Sequence, residues 1–258
     1  MKVVTEIRER IFLIGINRPQ VRNAVDGETA QQLAEAFRKF DNDDAVDVAI
    51  LYGEGGHFCA GADLKAIASD EAAANRLLAD GDGPMGPSRM LLSKPTIAAI
   101  EGHAVAGGLE LALWCDLRVA ASNATFGVFC RRFGVPLIDG GTVRLPRLVG
   151  MSRAMDMILT GRAVDAQEAF DMGLANRLCP QGESLSHALA LAKQISRFPQ
   201  GCLRSDRMSC YEQWSLAMNK ALSQEFAKGM QVVKSGETRS GAQQFHRGKG
   251  RGGGFADS

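Results

Sequence analysis

The run TIAAIEGHAVAGGLELALW, residues 96–114, decides how this chain is read. Thr96 to Ile100 is apolar and reads as a buried strand. The doublet Gly107-Gly108 breaks that pattern, and Leu109 to Trp114 reads as a helix. An earlier stretch repeats the scheme. Asp47 to Tyr52 (DVAILY) reads as a strand, Gly53 to Gly61 as a glycine-rich loop, and Leu64 to about Ala68 as the start of a helix. Strand, glycine turn and short helix thus occur twice, at 47–68 and 96–114, a weak internal repeat of ββα type. Both glycine turns fall at a helix N-terminus, where N–H groups lack partners and the dipole leaves a partial positive charge. Two such turns brought together would make a site for an oxyanion.

Working outward, Ile11 to Ile16 predicts a strand stopped by Asn17, Arg18 and Pro19. Asp26 can cap a helix that carries Leu33, Ala34, Phe37 and Phe40 at helical spacing. A second helical piece is expected over 72–79, and a strand over Leu117 to Ala121. Gly81 to Met90 (GDGPMGPSRM) predicts a mobile loop. It contains a GxGxxG match at Gly81, Gly83 and Gly86, but that match follows a helix-like segment, and Pro84 and Pro87 spoil a helix start, so a dinucleotide site is rejected. Beyond Gly140 the pattern is mostly helical, at about 141–148, 152–160, 166–172, 183–198, 202–213 and 215–234, with one more short strand at Leu174 to Leu178. A composition shift near residue 200 divides the chain into a core, 1–200, and a helical C-terminal region, 201–258.

Composition bounds the function. The chain has 258 residues, 30 Lys plus Arg against 29 Asp plus Glu, and a net charge of +1, which argues against a globally electrostatic nucleic-acid binder. Glycine is high at 29 residues, about 11% against a usual ~7%. Glu6, Arg8, Glu9 and Arg10 precede any long apolar run, so no signal peptide is expected. The most apolar region, residues 96–115, is interrupted by Glu101 and Glu110, so no membrane span is expected either. The six cysteines (59, 115, 130, 179, 202 and 210) form no CxxC pair and read as buried or reduced thiols of a cytoplasmic protein. The four histidines lie far apart, and no metal site is expected.

Several motifs together resemble the crotonase, or enoyl-CoA hydratase/isomerase, superfamily. They are Asn17-Arg18-Pro19 with Arg22-Asn23-Ala24, His57 to Lys65 (HFCAGADLK), Lys94 to Ile100, Gly107-Gly108-Leu109-Glu110, Cys115-Asp116-Leu117-Arg118, Phe126-Gly127, Gly140 to Pro146 (GGTVRLP), Leu159 to Arg162, Ala166 to Ala169 and Gly173-Leu174. The resemblance spans about residues 5–250. It implies an α/β fold, a spiral of ββα repeats with a helical C-terminal trimerisation region. It also implies an acyl-CoA substrate, no cofactor beyond the CoA of that substrate, and a homotrimer or hexamer.

By resemblance, the backbone N–H groups of Ala62 and Gly107 form the oxyanion hole, and Ala60, Asp63, Leu64 and Lys65 line the CoA and acyl path. From the residues alone, Asp63 reads as a cap for the helix at Leu64, and Lys65 as either a phosphate contact or a solvated lysine. Glu110 matches one of two glutamates that hydratases of the superfamily use. The alternative is a structural buried glutamate. The second glutamate is replaced: Phe126-Gly127-Val128-Phe129 leads to Cys130, a small packing residue beside the substrate or a thiol whose pKa Arg131 and Arg132 could lower. Asp139 reads equally as an acid/base or as a helix N-cap. Enoyl-CoA hydratase is the expected activity. Isomerase, thioester hydrolase, decarboxylase and a non-catalytic acyl-CoA binder stay open. His57 and His103 read as solvated and satisfied histidines. The basic residues Lys228, Lys234, Arg239, Arg247, Lys249 and Arg251 read as a charged tail able to meet CoA phosphates, and RNA binding by it is only weakly supported.

Overall fold

A computed structural model describes residues 1–69 and 73–250. The chain opens on a hairpin of β1 (Val3–Arg8) and β2 (Ile11–Ile16), then α1 (Gly27–Asn42), β3 (Val48–Gly53) and α2 (Leu64–Ser69). The central repeat follows: β4 (Thr96–Ile100), β5 (His103–Val105), α3 (Gly107–Trp114), β6 (Leu117–Ala121) and β7 (Thr125–Gly127). After it come α4 (Gly141–Val149), α5 (Met151–Thr160), β8 (Val164–Asp165), α6 (Ala166–Asp171), β9 (Arg177–Cys179), α7 (Ser184–Ser196), α8 (Gln200–Glu212), α9 (Met218–Ser235) and α10 (Glu237–His246).

Strands β1-β2-β3-β4-β6-β9 form one sheet, antiparallel only at the β1–β2 hairpin. Strands β5-β7-β8 form a second. The strands of the first sheet read as apolar runs because both faces are covered. On β2 the side chains alternate between two cores: Phe12, Ile14 and Ile16 join one with α1, while Ile11 and Leu13 join another with Ala188 and Ala192 of α7. Asp26 starts α1 as expected, accepting from the Thr29 N–H at 2.9 Å.

Each repeat leaves the large sheet on a strand, crosses toward the small sheet, and re-enters through a helix. Cys59, in the loop after β3, forms a parallel bridge with Ala104 of β5, so the two repeats meet at the small sheet.

Two expectations fail, and one strand goes unread. The helix over 72–79 is absent over 73–79, and residue 72 lies outside the described residues. Asn75 is buried there, and its amide donates to the carbonyls of Val25 (3.1 Å) and Pro84 (2.8 Å), so tertiary bonds override local helical preference. The 81–90 segment is a packed turn: Met85, Pro87 and Ser88 are buried in it. Strand β1 escapes the sequence reading because it is an edge strand with mostly exposed charged and polar residues. No residue of α8, α9 or α10 is buried, although Arg204 and Arg207 of α8 pair with Asp47 and Asp116 of the core at 2.9 and 2.8 Å. Among the described residues, no helix is long and apolar enough to cross a membrane.

Candidate active site

Two backbone arms converge. The first runs from Cys59 to Ala62 beside Val25: Val25 donates to Gly61 O (2.8 Å) and Asp63 donates to Val25 O (2.9 Å). The loop after β2 braces this arm. Asn23, with φ +58°, donates from its side chain to the carbonyls of Glu54 (2.8 Å) and His57 (2.6 Å), and Arg18 bridges Asp26 and Asp63 at 3.1 and 3.0 Å. The Asn17 to Ala24 motif is therefore a brace for the first arm, a role its sequence alone did not disclose.

The second arm is β5 and the start of α3. Ala106 donates to Gly127 O at 2.9 Å and sits at φ +54°, ψ −126°, a region that costs a non-glycine residue about 1–3 kcal/mol. That turn opens α3, whose first N–H groups lack intrahelical acceptors. The arms touch. A Cβ on Gly61 would lie 2.8 Å from Ala106 Cβ and 2.9 Å from Gly107 N, and a Cβ on Gly108 would collide with the Cys59 carbonyl. Glycine is required at 108 for close approach, rather than merely for a bend. The N–H groups of Ala62 and Gly107 have no acceptor among the described residues.

Both residues border a cavity of about 340 Å³. Its walls are mostly apolar, including Leu64, Ile67, Leu77, Met85, Phe133 and Ile138. Ala60 and Cys130 line it too, whereas Asp63 and Lys65 do not. Asp63 turns away to cap α2: its Oδ1 accepts from Lys65 N at 3.1 Å and Ala66 N at 3.4 Å. Lys65 is exposed on α2.

Two carboxyl groups reach the same cavity. Glu110, one turn into α3, is 3% exposed. Its Oε1 accepts from the N–H groups of Asp139 (2.9 Å) and Gly141 (2.8 Å). Burial pushes its pKa up to about 7 against those two bonds, and the neighbouring Asp139 charge adds to the rise. Asp139 is 4% exposed and lies just before α4. It does not cap that helix: Gly140 holds the cap position, and no side chain bonds there. The Oδ1 of Asp139 instead accepts from Met85 N at 2.9 Å and from the Ser88 hydroxyl. Burial raises its pKa, while Ser88 and Met85 oppose the rise. Arg144 completes the frame, donating to the carbonyls of Asp139 (2.9 Å) and Ser88 (2.8 Å). Gly83 lies under this frame, where a Cβ would fall 2.8 Å from Asp139 Oδ1 and strike Ser88. Gly83 thus serves a carboxylate cradle, while Gly86 lets the turn pack against the Ala30 carbonyl of α1.

Cys130 lies on the 3₁₀ turn Phe129–Phe133 and is buried. Burial raises its pKa, and the Glu110 charge adds to that, outweighing Arg131. A thiolate nucleophile is disfavoured by these surroundings. His57 and His103, read as separate bystanders, face each other with their Nδ1 atoms 3.1 Å apart. In the tail, Lys228 is drawn to Glu212 at 3.1 Å, and Glu237 accepts from Gly201 N and Cys202 N at the start of α8. Arg251 lies outside the described residues. Among the described residues, no group of three or more His, Cys, Asp and Glu could hold a metal ion.

The family model for enoyl-CoA hydratase/isomerase matches residues 6–250. An enoyl-CoA hydratase of Mycobacterium tuberculosis is 36% identical over 251 residues, covering 94% of this chain and 92% of that protein. A 2,3-dehydroadipyl-CoA hydratase of Escherichia coli is 34% identical over 224 residues, covering 87% of each. Among solved structures, an enoyl-CoA hydratase from Mycobacterium tuberculosis superposes with a TM-score of 0.90 at 36% identity, over 95% of this chain and 96% of that one.

Proposed function

The chain belongs to the enoyl-CoA hydratase/isomerase family, and from that premise we propose that it adds water across the double bond of a 2-enoyl-CoA. One observation carries the reading. Two backbone N–H groups without acceptors among the described residues border the same apolar cavity as two carboxyl groups whose pKa values are both raised.

The thioester oxygen sits between Ala62 N–H and Gly107 N–H. As water adds to Cβ, the π electrons move through Cα onto that oxygen. Each fixed N–H is worth about 3 kcal/mol toward the developing oxyanion, and the dipole of α3 adds to it. Glu110 and Asp139 share one proton between them. The ionised carboxylate takes a proton from the attacking water, and the protonated carboxyl delivers one to Cα. The pair ends with one proton, as it began, and the product is a 3-hydroxyacyl-CoA. Asp139, whose N–H donates to Glu110, thus supplies the second carboxyl group that Cys130 does not. The chemistry moves protons and one electron pair within substrate and water, so CoA enters only as part of the substrate.

The same reading extends to the assembly. Residues 201–258 act as a trimerisation region, supported by exposed Met218, Leu222 and Phe226 on α9 and Met151 and Leu159 on α5. Sedimentation as a monomer would contradict it. Six free cysteines, four of them buried, suit a reducing cytoplasm.

The test is crotonyl-CoA turnover, followed by loss of the conjugated thioester absorbance with product analysis. Hydration to 3-hydroxybutanoyl-CoA by wild type, at a rate far above that of Glu110→Gln, is expected. Release of free CoA, migration of the double bond in a 3-enoyl-CoA without hydration, or equal rates in wild type and variant would each contradict it.

A further inference from the structure

His57 and His103 stand at the roots of the two oxyanion arms. His57 follows the 3₁₀ turn Glu54–Gly56 and leads into Phe58 to Ala62, and His103 opens β5, which leads to Ala106 and Gly107. Just beyond the two rings the arms are laced by backbone bonds: Phe58 N to Glu101 O (2.8 Å), Cys59 N to His103 O (2.8 Å) and Val105 N to Cys59 O (3.1 Å). The rings lie with centroids 4.9 Å apart and planes inclined at 59°.

The proton arrangement follows from geometry. His57 Nδ1 faces two nitrogens, the backbone N of His103 at 3.3 Å and His103 Nδ1 at 3.1 Å. A backbone N–H can only donate, so His57 Nδ1 must be the bare acceptor and its proton sits on Nε2. His103 then carries its proton on Nδ1 and donates it to the same lone pair. A proton on His57 Nδ1 would point at the His103 backbone N–H and convert that bond into a repulsion. Gly102 makes the approach possible, since a Cβ there would strike His57 Nδ1 and lie 2.7 Å from Gly56 O.

We propose that His57 and His103 form a proton-sensitive clamp that sets the spacing of the two oxyanion arms, so that protonating the pair disables the hole without touching the carboxyl groups. Both are positioning residues, since neither borders the substrate cavity. The inference rests on the oxyanion role assigned to Ala62 and Gly107. Arg22, from the loop after β2, is the charged group that acts on both rings, and the other titratable group felt by His103 is His57 itself. Burial and Arg22 hold both pKa values below the ordinary histidine value, so the clamp is closed at neutral pH and opens on acidification.

The experiment uses butanoyl-CoA, a saturated thioester that the carboxyl pair cannot hydrate. Its bound carbonyl stretch reports how strongly the hole polarises it, and ¹⁵N NMR of the imidazoles reports their protons. At about pH 8 the expected result is Nε2–H on His57, Nδ1–H on His103 and a red-shifted carbonyl. As the pH falls, the shift should fade in step with protonation of His57. In His57→Gln, whose amide oxygen can accept from the His103 N–H and does not titrate, the shift should persist across the same range. In His103→Phe, which removes the ring donor, a weakened shift is expected at about pH 8, with butanoyl-CoA affinity within about threefold of wild type. A wild-type shift that ignores His57 protonation, a shift in His57→Gln that fades like that of wild type, the opposite tautomers, or an undiminished shift in His103→Phe would overturn the clamp alone. Absence of any shift at about pH 8 in wild type would overturn the oxyanion reading, and the clamp with it.

Discussion

Ala62 and Gly107 offer backbone N–H groups whose direction is set by sterics, through Gly61, Gly108 and the left-handed Ala106. Glu110 and Asp139 offer side chains whose charge state is set by burial and by each other. The first half of the site resists charge substitutions and is sensitive to a single methyl group. The second tolerates isosteric changes in shape and is sensitive to a single proton. Strain is stored in the backbone half and electrostatic penalty in the carboxyl half, so a substitution in each should separate function from stability in opposite ways.

Glu110→Gln should give the largest effect, a loss of about 10³-fold in kcat for crotonyl-CoA. Its amide oxygen can still accept from Asp139 N and Gly141 N, so the fold should survive. The folded pKa of Glu110 lies above the ordinary value. Its contribution to stability is therefore fully present below about pH 4.5 and is lost as the pH rises through about 7. The variant cannot ionise, so above that range it should be more stable than wild type, by something on the order of 3 kcal/mol. Thermal melts at about pH 6 and pH 8.5 would check this. Equal melting shifts at both would contradict a buried, raised carboxyl.

Gly108→Ala should sharpen the contrast from the other side. Its methyl group would drive Cys59 and the first arm away from α3. A loss of roughly several hundredfold in kcat is expected, with destabilisation of about 1–3 kcal/mol, in calorimetry and turnover together. A fully active, fully stable variant would show that the arms are not in register.

Asp139→Asn should lower kcat by about 10²-fold while keeping the bonds from Met85 and Ser88. In wild type, kcat/KM should fall on the alkaline side with an apparent pKa near 7, as the pair loses its shared proton. Ser88→Ala should act more gently. It removes a donor that favours the ionised Asp139, so that pKa rises further, and the acid side of the kcat/KM profile should move to higher pH with a loss of about tenfold at about pH 6. Cys130→Ser should change kcat by less than about threefold, because the buried thiol carries no step. A large loss there would return the cysteine to the mechanism.

The strand–turn–helix pattern at 96–114 was legible in the sequence and puts Gly107 and Glu110 one turn apart, but the glycine doublet alone reads as readily as a tight turn, and the pairing of Ala62 with Gly107 came from the family resemblance. Helix α1 with its Asp26 cap was legible for the same local reason. The carboxyl half was only half legible. Asp139 sits just before a helix and so resembles a cap, and its real partners, Met85 and Ser88, are 54 and 51 residues away in the chain. Asn75, Arg18 and Asn23 also act through distant carbonyls and carboxylates, where periodicity carries no signal. The histidine pair is 46 residues apart and was invisible until β5 was laid against the loop after β3.

The most direct measurement is ionisation of bound acetoacetyl-CoA in Glu110→Gln, where the neighbouring carboxylate no longer opposes the enolate. The enolate absorbance is followed against pH, free and bound. If the N–H groups of Ala62 and Gly107 form the hole, binding should lower the ligand's pKa by about two units, the equivalent of about 3 kcal/mol on the oxygen. A bound ligand that ionises where the free one does would contradict the account.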